Sequence, residues 1–181
     1  MGPGRKTMLL AVAVALAAAA MFVLAACGEE EETEVIEGEP VELGDLSYNV
    51  VTTRFLNPDD SQDAEYLEGQ PEPKPGEQYL GSFMTVENDG DAAASLPPHF
   101  EILDTTDTTY ESVESESAYA LPLGEELAGG ESLPAPDTPA ADGPIKGSMV
   151  LFLMPDSVTE NRPLELEIPS SEGDGTVELD I

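Results

Sequence analysis

From Leu46 onward the chain alternates apolar and polar positions with a period of two, the pattern of strands that bury one face. LSYNVVTTRF sets Leu46, Tyr48 and Val50 on one side and Ser47 and Asn49 on the other, with β-branched residues in its middle, and predicts a strand from 46 to 56. QYLGSFMTVEN places Leu80, Met84 and Val86 opposite Tyr79 and Phe83, then ends at the turn sequence NDGD. FEIL (100–103) and TTYESV (108–113) flank TDTT as the arms of a hairpin would. SMVLFLM (148–154) is apolar throughout, as expected of a central strand covered on both sides, and Pro155 stops it. LELEI (164–168) and TVELDI (176–181) alternate cleanly. About seven strands without a convincing amphipathic helix predict an all-β fold, an antiparallel β-sandwich over residues 45–181. No repeat at 20 to 50 residues points to a solenoid or propeller.

Two connections are too long for hairpins. Residues 57–77 and 114–144 both exceed the roughly 12 to 15 residues beyond which a loop is functional or disordered. The low complexity of ESLPAPDTPAADGP points to disorder in the second, while the first holds the acidic cluster Asp59, Asp60, Asp63 and Glu65.

The first residues follow another pattern. Arg5 and Lys6 precede nineteen residues without a polar side chain, Met8 to Ala26, and the run ends at Leu24-Ala25-Ala26-Cys27. A basic n-region, an apolar run and small residues before the break predict a signal peptide over 1–26. Leu24 to Cys27 resembles the bacterial lipobox, in which the cysteine sulfur receives a diacylglyceryl group and the peptide is cut just before it. Cys27 is the chain's only cysteine, so a disulfide within the chain is excluded. A palmitate-type anchor on Cys27 would hold the chain on the extracytoplasmic face of the cell membrane, because two or more acyl chains bind stably where one does not.

After Cys27 comes GEEEETEVIEGEPVELG, with no sustained period and with glycine and proline within it. Residues 27–44 therefore read as a lipidated cysteine and a flexible acidic tether, which self-repulsion extends. At about 3.3 Å per residue such a tether reaches roughly 55 Å and keeps the domain off the membrane.

Charge narrows the function classes. The 181 residues carry 38 acidic and 6 basic side chains. Two of the basic ones precede Cys27, so four remain against thirty-eight, a net charge of −34 after cleavage. Nucleic acid is excluded as a partner, since it is held by lysine and arginine on its phosphates.

At the level of motifs the chain resembles the DUF4352-like (MPT63-like) domains of bacterial lipoproteins over roughly residues 41–170. Leu46, Tyr48 and Val50 match an opening L-x-Y-x-V strand, and Val86 and Asn88 an apolar strand ending in asparagine. Phe100, Ile102 and Asp104 match an aromatic-x-hydrophobic-x-D segment, and Gly147, Val150, Leu151, Phe152 and Pro155 approach a closing G-x-hydrophobic-hydrophobic-F-x-x-P. The long acidic segment 114–144 stands where the family has a proline-glycine turn. The resemblance implies an immunoglobulin-like β-sandwich and a non-enzymatic surface protein, and it carries over no catalytic residue.

The candidate chemistry is thin. With Cys27 acylated no thiol nucleophile remains, and any triad or zinc site using histidine must rely on His99, at the start of a strand, a position more often structural than catalytic. Thirty-eight acids make chance carboxylate pairs inevitable, so glycosidase-type pairs have little specificity. Calcium takes six to eight oxygens, and Asp59, Asp60, Asp63 and Glu65, or Asp104 and Asp107, are the sets that could supply them, although no EF-hand spacing is present. Three readings follow: a lipid-anchored binding or envelope-interaction module with a protein or cell-wall partner, needing no cofactor; a calcium-dependent adhesion or stabilisation module; and a hydrolase, which requires a deep pocket at His99 or a carboxyl with a raised pKa.

Overall fold

All seven expected strands are present in the computed structural model, which describes residues 33–181. The predicted signal peptide, Cys27 and the first part of the predicted tether lie outside the described residues. In chain order the elements are β1 (Thr33–Ile36), β2 (Pro40–Leu43), β3 (Leu46–Leu56), α1 (Ser61–Tyr66), β4 (Glu77–Asn88), β5 (Ala94–Ser95), β6 (Glu101–Leu103), β7 (Thr109–Val113), β8 (Glu126–Leu127), β9 (Ser132–Leu133), α2 (Pro139–Asp142), β10 (Ser148–Pro155), a 3₁₀ turn (Asp156–Glu160), β11 (Leu164–Ile168) and β12 (Gly175–Leu179).

The strands pair in the order β1-β12-β11-β6-β7-β10-β4-β3-β2, with β9 added to β4 and a separate pair β5-β8. Every pairing between these strands is antiparallel except β1 with β12. Strand β7 is the hinge of the sandwich. Its Thr109 to Glu111 pair with β6, whereas Ser112 and Val113 pair with β10, so one strand serves both halves. The halves then share a core: Phe100, Ile102, Leu166 and Val177 from one meet Tyr48, Leu80, Met84 and Phe152 from the other. Tyr48 and Phe100 meet edge to face across it, with ring centres 6.2 Å apart, an arrangement aromatic rings favour.

β4 buries both faces, and the period of two explains how. Leu80, Met84 and Val86 enter the central core, while Tyr79 and Phe83 join a second cluster with Leu56, Tyr66, Tyr119, Met149 and Leu151. The cover over this outer face consists of the two long connections. That corrects the expectation of disorder for 114–144: Tyr119, Leu121, Leu127 and Ala140 are buried, and the segment contributes β8, β9 and α2. Isolated apolar anchors among prolines, glycines and acids carry no period, yet each finds a place on a sheet face already formed. Residues 57–77 are likewise ordered around α1, whose end is capped by Asp60 accepting from the Gln62 and Asp63 amides. Gly147 permits a close crossing over β4, since a Cβ there would lie 2.9 Å from the Met84 nitrogen.

The tether is corrected too. Thr33–Ile36 pairs with β12 and Pro40–Leu43 with β3, and Val41 is fully buried with Leu43 nearly so. Glu34, Glu39 and Glu42 are exposed, giving the segment a polar composition with a buried face.

Candidate functional site

The acidic quartet of the first long connection does not gather around a common point. Asp60 caps α1, and Asp63, buried, pairs with Arg54 and accepts the Asn57 amide at 2.8 Å. Glu65 accepts from the Tyr119 hydroxyl at 3.0 Å, while Asp59 is exposed and its backbone amide donates to Asn57 Oδ1. These contacts fasten the 57–77 cover to the sheet. Arg54 is one of four basic residues after Cys27, and its placement under Asp63 anchors the helix that carries Tyr66.

Asp104 also works inside the protein. Its Oδ1 accepts from the Thr106 hydroxyl at 2.6 Å, the Thr106 amide at 2.8 Å and the Thr108 amide at 3.2 Å; Oδ2 accepts from the Tyr110 hydroxyl and Asn161 Nδ2. The Thr106 hydroxyl foremost, against the opposing effect of burial, holds its carboxyl well below the usual carboxylate range. Donors thus take up the lone pairs that a calcium ion would need, and Asp104 fixes the β6–β7 turn, where Asp107 adopts a φ of 59°.

Glu37, on the link between β1 and β2, is the contrary case. Its Oε1 accepts the Thr53 amide at 3.3 Å, but Oε2 is buried without a partner. Desolvation raises its pKa above the ordinary 4.5, offset in part by hydrogen bonds from Thr53 and reinforced by the nearby Asp180 carboxylate. It is the raised carboxyl that a hydrolase reading asks for, yet it lies away from the depressions described next and far along the chain from His99.

Two depressions adjoin at Pro98. One, of about 560 Å³, lies where the β2–β3 turn and the β11–β12 turn meet residues 94–98, with Tyr48 in its lining. The other, of about 780 Å³, runs between Gly69–Gln70 and residues 114–125. Both are broad and lined by prolines, serines and acids with a few leucines.

His99 follows Pro98, and here the structure assembles a group that the sequence reading does not single out. His99 Nε2 lies 3.6 Å from Glu101 Oε1. Glu101 on β6 stands directly opposite Glu111 on β7. One ligand atom from each of His99, Glu101 and Glu111 lies within 4.8 Å of the other two, the one such trio of metal-ligating side chains among the described residues. The signal was partly local, since His99 and Glu101 share a face by the period of two. Glu111 joins them only through the hairpin register. The His99 side chain is 44% exposed, so no deep pocket surrounds it.

No protein-family model matches the chain, and neither does any curated protein. Among solved structures it is similar to MPT63, a secreted protein from Mycobacterium tuberculosis, at 12% identity and a TM-score of 0.47 over 81% of this chain and 97% of that one. It is similar to ycdA of Bacillus subtilis, described as a candidate lipoprotein, at 12% identity and a TM-score of 0.49 over 80% of this chain and 38% of that one. The resemblance to DUF4352-like domains accordingly rests on its motif residues. A β-sandwich protein from Clostridium difficile is 14% identical with a TM-score of 0.52, over 84% of this chain and 97% of that one, and the likeness shows a shared β-sandwich fold.

Proposed function

We propose that the chain is a lipid-anchored, extracytoplasmic and non-enzymatic β-sandwich that acts as a binding or envelope-interaction module. The observation that carries this reading is the junction at Cys27: a basic and apolar leader ends in Leu24-Ala25-Ala26-Cys27, and β1 begins six residues later. Six residues at about 3.3 Å each extend no further than about 20 Å, so the anchor keeps the domain much nearer the lipid than the longer tether expected from composition.

The depressions that adjoin at Pro98 support a binding role, because loops held by a rigid sandwich are where such proteins present contact surfaces. The exposure of His99 and the structural employment of Asp63 and Asp104 argue against hydrolysis and against calcium held at those carboxylates.

The test is metabolic labelling with a palmitate analogue and membrane fractionation of the wild type and Cys27→Ser in a bacterial host. The wild type is expected to carry label and sediment with membranes, and the variant to lose the label. A wild type that sediments unlabelled would instead make Met8 to Ala26 a retained membrane span and remove the lipid anchor from the reading.

A further inference from the structure

We propose that His99, Glu101 and Glu111 form a binding site for a divalent cation of the first transition row, Zn²⁺ being the probe of choice. This inference is independent of the lipid anchor and of the partner at the Pro98 depressions. The donor set is one imidazole and two carboxylates, rather than acids alone. Calcium and magnesium select oxygen ligands, whereas imidazole suits zinc, copper, iron and nickel.

The geometry suits such an ion. Tetrahedral zinc with bonds of about 2.0 to 2.2 Å needs ligand atoms roughly 3.4 Å apart. His99 Nε2 and Glu101 Oε1 are already 3.6 Å apart, and the third ligand atom lies within 4.8 Å, so it has no more than about 1.4 Å to close. The frame is rigid. Phe100, between two of the ligands, is fully buried, its amide donates to Ser112 Oγ at 3.0 Å, and its carbonyl accepts the Ser112 amide at 2.8 Å. Ser112 in turn follows Glu111, so both strands hold their ligands in a set register.

Electrostatics gives the site a reason to take a cation. Like charges directly opposite on neighbouring strands are destabilising, and Glu101 faces Glu111 across the hairpin. A dication reverses the sign of that interaction. With three protein ligands and side chains of His99 and Glu101 that are 44% and 28% exposed, the ion keeps coordination positions open to water or to a donor from a partner.

Calorimetric titration of Zn²⁺ into the full-length chain in detergent tests this, in NaCl at about 0.15 M and with millimolar Mg²⁺ to occupy the general acidic surface. The expected result is one saturable Zn²⁺ per chain, weakened about tenfold or more by His99→Gln and by Glu111→Gln. Asp59→Asn should leave it unchanged. Co²⁺ absorption supplies a second readout, expected to lose its imidazole-dependent bands in His99→Gln. All three positions are at least partly solvent-exposed, and melting curves without metal confirm that each variant folds. Absence of saturable binding, or binding that the His99 and Glu111 variants leave intact, would overturn the proposal and assign any heat to the acidic surface at large.

Discussion

Tyr66 separates two contributions of one side chain. Its ring is 1% exposed and lies edge-on to Phe83 at 4.9 Å and to Tyr119 at 4.7 Å, but its hydroxyl is buried with no hydrogen-bond partner. Losing the ring as Tyr66→Ala should cost about 3 to 5 kcal/mol. Losing only the hydroxyl as Tyr66→Phe should leave stability unchanged or raise it by up to about 1 to 2 kcal/mol, since an unpaired buried polar group is costly. Urea unfolding measures both, and a Phe variant less stable than wild type would mean that the hydroxyl is satisfied after all. Glu37 and Asp104 oppose each other in acid. Asp104, with its lowered pKa, contributes stability that is present above the ordinary 3.8 and lost as pH falls toward its folded-state value. For Glu37 the protonated form is the favoured one, so its contribution is complete below 4.5 and lost as pH rises through its raised value. Glu37→Gln should therefore raise the melting temperature at pH 7 and change it little at pH 4. An equal shift at both pH values would trace the gain to packing rather than to charge.

At the scale of elements, the segment expected to be a tether decides whether the sandwich closes. Val41 and Leu43 contribute to the central core from β2, and burying two such side chains stabilises by roughly 1.5 to 3 kcal/mol each. That is a large share of the roughly 5 to 15 kcal/mol typical of a whole domain. A chain beginning at Asp45 should melt far below one beginning at Gly28, or fail to fold; equal melting temperatures would show that β1 and β2 contribute nothing. These two strands escaped the sequence reading because four-residue runs such as TEVI and PVEL are too short to establish a period, and their partners in β12 and β3 are chosen by tertiary contact. By contrast Leu46–Leu56 and Leu164–Ile168 were legible to the residue, because their alternation is local and long enough. The cover over Phe83 was illegible for the opposite reason, being held by single anchors such as Tyr66 and Tyr119 that need the sheet beneath them. Two of the three members of the His99 group could be read from the spacing His-x-Glu, and Glu111 could not, since it depends on where the hairpin turns.

For the whole molecule the dominant fact is unbalanced charge. Two pairs of opposite fixed charge are formed among the described residues, Arg54 with Asp63 and Lys74 with Glu77 at 4.0 Å. Against the thirty-four acids among the described residues, these leave most carboxylates without a cationic side chain. Glutamates also meet across strands, as Glu165 does Glu178 and Glu101 does Glu111. Each such pair repels by about 1 kcal/mol at 4 Å in water, and the unfolded chain relieves that repulsion by expanding. Monovalent salt relieves it in the folded state, as the screening length falls from about 10 Å at 0.1 M to about 3 Å at 1 M. The melting temperature should therefore rise with NaCl, most steeply below about 0.15 M, where the screening length still exceeds the spacing between neighbouring strands. The shape of the curve distinguishes screening from a general salting effect on apolar burial, which grows with salt concentration rather than levelling off. A flat curve in the low-salt range would mean that the carboxylates are already neutralised by bound cations, and repeating it after chelation with Glu111→Gln alongside would tell whether the His99 site holds one of them.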